Sequence, residues 1–492
     1  MPTISRELQR ARAYAQSTGA HVQGGDRAAF HVCAPVGWIN DPNGFSLYGG
    51  KIHLFFQHHP YDWHWGPMHW GHVTTEDFVR WQLLPEALAP DRAYESGCFS
   101  GSAVTWRGRH ALIYTSHLDR PGPDGIRQIL EQQSLALGDG VDYEKVPEDP
   151  ILRTEALPEG ACARDFRDPR VWEEDGRYRM IVASRRADGL GSYLIYESED
   201  LRGWRFVTEL LHSDGHRLGK MWECPDWFPL DGSRVLLLSA QEMEADDEGF
   251  HGLNGTAALV GGWEKATETF TPGPPRPIDY GWDFYAPQTV LTADGRRVMI
   301  AWMQSWDDDV TPPEQRWAGM MTFPRELRVR GGRLYQAPVR ELERYHADSV
   351  TVRSVAEKEG RRLTSGRQLD FTLTVEDAAA AVFSLDVAAG GAYRTRLTYD
   401  APAGRLTVDR THAGMPGDRY PVQIVPLVSV PERAELRAVM DRGSLELFLN
   451  GGEQAVSVLI WTDPACGDVI LSADAPLRYT FVCHRIEVGE DA

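Results

Sequence analysis

No run of about 18 apolar residues occurs anywhere in the chain, so no segment reads as a membrane-spanning helix. The opening residues, MPTISRELQRARAYAQ, lack the apolar stretch of about 7–15 residues that a secretory signal needs. They read instead as a short charged helix beginning near Ser5, and a cytoplasmic protein is expected. Cysteine is scarce: Cys33, Cys98, Cys162, Cys224, Cys466 and Cys483, with no C-x-x-C pair. At 492 residues the chain has no need of disulfide staples, and reduced buried thiols are expected. Positive charge is also in deficit, 51 Lys and Arg against 71 Asp and Glu. The resulting net charge of −20 argues against nucleic acid or an anionic membrane as partner.

What the chain does have is a hidden repeat. Five segments share one plan, a polar motif, a short strand, a turn with glycine and then a strongly apolar strand. They are NDPNGFSLYGGKIHLFFQ, FSGSAVTWRGRHALIYTS, FRDPRVWEEDGRYRMIVAS, WECPDWFPLDGSRVLLLSA and FYAPQTVLTADGRRVMIAWM. Their turn glycines are Gly50, Gly108, Gly176, Gly232 and Gly295, each between two β-type runs as in a hairpin. A second marker comes later in each unit: Trp81, Tyr143, Trp204 and Phe270, with TTEDFVRWQ echoed by ESEDLRGWRF. Both markers agree on a period of about 61 residues, the length of a four-stranded propeller blade.

Beyond P-R-E-L, Pro324 to Leu327, and a linking stretch ending near Tyr345, the texture changes to alternating strands with regular turns. The expected fold is all-β, a five-bladed β-propeller followed by a C-terminal β-sandwich. The expected division is an N-terminal extension with a short helix at 1–26, a propeller at 27–345 and a sandwich at 346–492.

In a propeller the first strands of the blades line a central channel, so motifs far apart in sequence converge at one mouth. Read in order, the five motif positions are Asp41, Ser100, Asp168, Glu223 and Tyr285. Three are carboxylic acids, and glycoside hydrolysis uses one carboxylate beside the anomeric carbon and another to protonate the leaving oxygen. Asp41 sits in W-I-N-D-P-N-G, where Pro42 and Asn43-Gly44 hold the backbone, as suits a nucleophile. Asp168 in F-R-D-P-R is flanked by Arg167 and Arg170, which are expected to keep it ionised as an acceptor for sugar hydroxyls. Glu223 in W-E-C-P-D-W has apolar neighbours that raise a carboxyl pKa, as a general acid requires. Tyr285 is placed to donate a hydrogen bond to it, and Asp226 competes for the acid role. Tryptophans suited to sugar faces surround these motifs: Trp63, Trp65, Trp70, Trp227, Trp282, Trp302 and Trp306. The histidines of HHPYDWHWGPMHWGH lack a zinc-site spacing and read as part of a loop rimming the pocket.

The motifs W-I-N-D-P-N-G, F-S-G-S, R-D-P, W-E-C-P, G-W-D-F-Y-A-P-Q, P-R-E-L and D-R-G-S-L-E-L-F-L-N-G-G, in this order, resemble glycoside hydrolase family 32. This is the invertase and fructan-hydrolase family, and the resemblance covers nearly all of the chain after about His31. It implies a retaining β-fructofuranosidase with Asp41 as nucleophile, Glu223 as acid/base and Asp168 as stabiliser. It further implies that Asn40, Gln57, Trp65, Phe99, Ser100 and Arg167 line the fructose subsite, with no metal or organic cofactor. The expected substrate is sucrose or sucrose 6-phosphate. The alternatives are a fructosyltransferase or exo-fructan hydrolase on the same residues, or a non-catalytic carbohydrate-binding protein on the same scaffold. Oligomeric state is not read from the sequence.

Overall fold

The computed structural model describes residues 4–22, 27–122, 125–215, 217–247, 249–307, 316–415 and 418–489. Among these residues five sheets are followed by two six-stranded sheets, the propeller that the repeat predicts and the sandwich that the later alternating strands predict. In four of the five leading hairpins the turn is two residues with both φ positive: Gly49-Gly50, Arg107-Gly108, Asp175-Gly176 and Asp231-Gly232. That is the type I′ geometry, whose twist matches the flanking strands and which favours glycine. The fifth turn is longer and places Gly295 at φ 83°.

The later marker is structural too. Trp81 and Trp204 each stand one residue before the outermost strand of their blades, Gln82–Leu88 and Arg205–His212. Tyr143 and Phe270 lie in the corresponding strands, Tyr143–Lys145 and Thr269–Pro272. The echoed phrase forms the same turn twice. Asp77 Oδ1 accepts from the amides of Val79 and Arg80, and Asp200 Oδ1 from those of Arg202 and Gly203. Phe78 and Leu201 hold the matching left-handed positions, φ 63° and 62°.

The inner strands of the five blades are Gly37–Tyr48, Gly97–Trp106, Ala161–Glu174, Met221–Leu230 and Tyr285–Leu291. They neighbour one another in cyclic order, the last against the first. The ring is also closed by hydrogen bonds, because Trp317–Ala318 returns from the last blade to pair in parallel with Gly37–Trp38. Apolar clusters fill the seams between blades; Ile181, Tyr193, Trp222, Trp227 and Leu236, for example, join the third blade to the fourth. The N-terminal helix, Arg6–Gly19, is capped by Ser5, whose hydroxyl accepts from the Leu8 amide. Arg12 ties it to the Glu86 carbonyl and to Asp142 on the outer edges of the first two blades.

The sandwich has its own core, with Phe371, Leu385, Leu436, Leu447 and Phe481 among its members. It meets the propeller through a buried polar network. Arg325, from P-R-E-L, pairs with Asp279 at 2.7 Å and with Glu446. His31 bridges Asp441 at 2.8 Å and Glu446 at 2.9 Å. The motifs P-R-E-L and D-R-G-S-L-E-L thus belong to the seam between the two parts. All six cysteines are free thiols. Among the described residues no helix is long and apolar enough to cross a membrane.

Candidate active site

Every inner strand carries one extra residue relative to its partner at the motif, and the first and third strands slip again, between Asn43 and Ser46 and between Ala161 and Phe166. The register slips between Ile39 and Pro42, Phe99 and Gly101, Arg167 and Arg170, Glu223 and Asp226, and Tyr285 and Gln288. Such bulges bend a strand and re-aim its side chains. In three blades the residue before the motif proline takes a left-handed backbone: Asp168 at φ 63°, Cys224 at 48° and Ala286 at 52°. Those positions are register equivalents, so Glu223 and Tyr285 correspond to Arg167 and not to Asp168. The sequence frame of one shared position per blade gives way to three successive ones, because Asp41, two residues after Ile39, matches Pro169.

The motifs open into one pocket of about 860 Å³. Nine of the expected residues line it: Asn40, Asp41, Gln57, Trp65, Phe99, Ser100, Arg167, Asp168 and Glu223. The tenth, Tyr285, is buried behind them and donates from its hydroxyl to Glu223 Oε2 at 2.8 Å.

Asp41 is held at both oxygens. Ser100 Oγ donates to Oδ2 at 2.6 Å, and Asn40 Nδ2 donates to Oδ1 at 3.0 Å. Asn40 is itself oriented by the Trp38 indole N–H at 2.9 Å. Cys224 Sγ lies 3.5 Å from Asp41 Oδ2 and 3.7 Å from Asp168 Oδ2, which brings those two carboxylates around one sulfur. Asp168 Oδ2 also accepts from the Cys224 amide at 3.0 Å.

Glu223 is gripped on both oxygens as well. Arg167 Nε donates to Oε1 at 3.0 Å, while Tyr285 and Gln241 donate to Oε2, each at 2.8 Å. Burial raises the pKa of Glu223 and the Asp41 charge adds to this, while Arg167 and the Tyr285 hydroxyl pull it back. The group therefore holds its proton above the usual carboxyl range yet has donors ready for the anion. A residue that must give a proton and later take one back needs both properties.

Asp168 departs from expectation. Arg170 does not approach it: its Nε pairs with Asp226 at 3.1 Å and its Nη2 donates to the Thr289 carbonyl at 2.7 Å. Arg167 Nε lies 4.0 Å from Asp168 Oδ2 and is committed to Glu223. Burial, reinforced by the charges of Glu223 and Asp41, raises the Asp168 pKa well above the usual carboxylate range despite Arg167. Asp168 and Glu223 each raise the other's cost of ionising, so their titration belongs to the pair.

Asp226, the competitor for the acid role, is fully buried, does not line the pocket, and accepts from the Thr289 amide at 2.6 Å. It belongs to a second ring below the carboxylates that latches neighbouring inner strands. Asn43 accepts from Gly101 N at 3.1 Å, and Ser102 Oγ bonds Pro169 O and Val171 N. Arg170 meets Asp226, Asp226 meets Thr289, and Gln288 bonds both Phe45 N and Gly101 O.

Several pocket residues carry no sequence signal. His117, Asp119, Glu131, Arg164, Asp165, Arg185 and Gln241 line the wall from the second, third and fourth blades, mostly outside the motif strands' signature positions. His117 stacks on Phe99 with ring centroids 4.0 Å apart. Of the tryptophans, Trp65 and Trp306 reach the pocket, and Trp70 and Trp302 are fully buried. The histidine-rich segment divides: His58, His69 and His72 are buried in the first blade, and exposed His64 bonds Asp62.

Comparisons with known proteins give the family. The glycosyl hydrolases family 32 N-terminal domain matches residues 31–338, and the family 32 C terminal domain matches 339–481. The raffinose invertase of Escherichia coli is 39% identical over 439 residues, 88% of this chain and 89% of that protein. A sucrose-6-phosphate hydrolase of Escherichia coli is 37% identical, again over 88% of this chain and 89% of that protein. The structure of the GH32 β-fructofuranosidase of Bombyx mori superimposes with a TM-score of 0.85 at 32% identity, covering 98% of each chain. The chain belongs to glycosyl hydrolase family 32 and is a glycoside hydrolase.

Proposed function

We propose that the protein is a retaining β-fructofuranosidase that hydrolyses the terminal fructosyl linkage of sucrose or sucrose 6-phosphate, with its catalytic pocket in the propeller of residues 27–345. The observation that carries the reading is the pair of differently treated carboxyls, Asp41 held by Ser100 and Asn40, and Glu223 raised by burial. Asp41 attacks the anomeric carbon while Glu223 protonates the departing glucosyl oxygen. Glu223, now anionic and held by Arg167, Tyr285 and Gln241, then takes a proton from water as the water oxygen bonds to the anomeric carbon and displaces Asp41 from the covalent fructosyl-enzyme, which releases fructose with retained configuration. Asp168 holds fructosyl hydroxyls, and Asn40, Gln57, Trp65, Phe99 and Ser100 line that subsite. Relatives named for raffinose and for sucrose 6-phosphate support the substrate class, as does a solved complex of a Bombyx mori relative with sucrose. Action on such substrates after uptake, in the cytoplasm, completes the reading.

The test is kcat/KM on sucrose, sucrose 6-phosphate and inulin, with Glu223→Gln as control. Fructose release that falls about 10²–10⁴-fold in the variant supports the reading. Equal rates in wild type and variant contradict it. Oligofructans accumulating at high sucrose would shift the reading from hydrolysis to transfer.

A further inference from the structure

Glu223 is the end of a chain of polar side chains that begins at the pocket wall. His117 Nδ1 lies 3.2 Å from Glu131 Oε1. Arg167 Nη1 donates to Glu131 Oε2 at 3.2 Å, and Arg167 Nε donates to Glu223 Oε1 at 3.0 Å. Glu131 is almost fully buried and its Oε2 also accepts from the Phe166 amide at 3.0 Å, so its position is fixed. It stands on Arg127–Gly138, the third strand of the second blade, which carries none of the motifs.

We propose that Glu131 is a positioning residue that sets how strongly Arg167 acts on the acid/base Glu223. The inference rests on the proposed role of Glu223. One guanidinium serves two carboxylates through different nitrogens, and Asp165 takes a share of Nη1 at 3.0 Å. Were Arg167 to face Glu223 alone, its charge would favour the anion and deplete the acid form. Glu131 and Asp165 divert that charge. Arg167 remains charged although buried, because Glu131, Glu223, Asp168 and Asp165 together outweigh the cost of burial. The other groups facing Glu223 are Asp41 and Asp168, which raise its pKa or compete for its proton, and the Tyr285 hydroxyl, which lowers it; Gln241 is neutral. Asp165 in turn is met by Arg185 at 3.4 Å.

The sign is the same by both routes. Glu131→Gln removes a like charge near Glu223 and releases Arg167 toward it, and each lowers the Glu223 pKa. The alkaline limb of kcat/KM, which reports the free enzyme's acid form, should move to lower pH by roughly half a unit to one unit. That is less than the shift of 1–3 units from a charge in direct contact. On sucrose the loss should reach about 3–10-fold on that limb. On an aryl β-fructofuranoside, whose leaving group needs little protonation, it should be much smaller. Glu131→Asp, which keeps the charge, should restore the limb.

Asp165→Asn, at the partly exposed side of Arg167, should shift the limb the same way and serves if Glu131→Gln does not fold. A limb unmoved in folded Glu131→Gln, or in Asp165→Asn should the first not fold, overturns the inference, provided Glu223→Gln abolishes the wild-type limb. A limb that survives Glu223→Gln overturns both this inference and the assignment of the acid on which it stands.

Discussion

The channel holds two rings of side chains on the same five strands, and they differ in what is done with charge. The upper ring, around Asp41, Asp168 and Glu223, crowds carboxyls against a single guanidinium, Arg167, and opens to the pocket. The lower ring, Asn43, Ser102, Arg170, Asp226 and Gln288, satisfies its members against each other and against backbone groups of the next blade. Glu223 and Asp226 sit three residues apart on one strand and meet these two fates. The lower ring is a fastener. Its order positions the upper ring, where burial raises Glu223 and Asp168 and so keeps a proton available for transfer.

Substitutions should separate the two. The largest effect is expected at Asp41: Asp41→Asn should lower turnover on sucrose at least as much as Glu223→Gln, about 10²–10⁴-fold or more, with thermal midpoints near wild type. Asp226→Asn should do the reverse. Breaking a buried ion pair by removing one partner costs about 3–5 kcal/mol, so urea unfolding should show the loss while turnover per folded molecule stays within about tenfold. A thermal midpoint for Asp226→Asn equal to wild type would dissolve the distinction.

A third buried charge cluster sharpens the comparison, because it too is compensated but lies in the seam with the sandwich. Burial works against a charged His31, yet Asp441 and Glu446 raise its pKa to about 9. With an unfolded value near 6.5, its contribution to stability is fully present below about pH 6.5 and is lost as pH rises through about 9. The size is about 3 kcal/mol, from the difference between those two values. Unfolding free energy in wild type should therefore fall over that window, and in His31→Gln the fall should be shallower. The smallest effect is expected at Tyr285. Tyr285→Phe removes one donor to the Glu223 anion, so the alkaline limb should move to higher pH, opposite to Glu131→Gln, with a rate loss below about tenfold.

The sequence announces the blades because their turns have stringent chemistry. The left-handed pairs ending in Gly50, Gly108, Gly176 and Gly232, and the Asp77 and Asp200 turns, require particular residues and so leave a periodic trace. The motif carboxyls were legible for the same reason, since the bulge before each proline constrains its neighbours. What spacing could not resolve is direction. In a regular strand, residues three apart point to opposite faces, but the extra residue at Cys224–Pro225 resets that alternation. Glu223 and Asp226 were therefore not separable from sequence, and neither was the turn of Arg170 away from Asp168. Glu131, His117 and Gln241 were missed because they come from the second and third strands of their blades, outside the motifs. Their roles exist only after the blades are placed side by side.

The most direct test of the account is fructose release from sucrose by Glu223→Gln and Asp226→Asn, compared at equal concentrations of folded protein. The account predicts that Glu223→Gln loses about 10²–10⁴ in rate at a wild-type thermal midpoint, while Asp226→Asn keeps its turnover and loses stability. Turnover abolished in Asp226→Asn and retained in Glu223→Gln would contradict it.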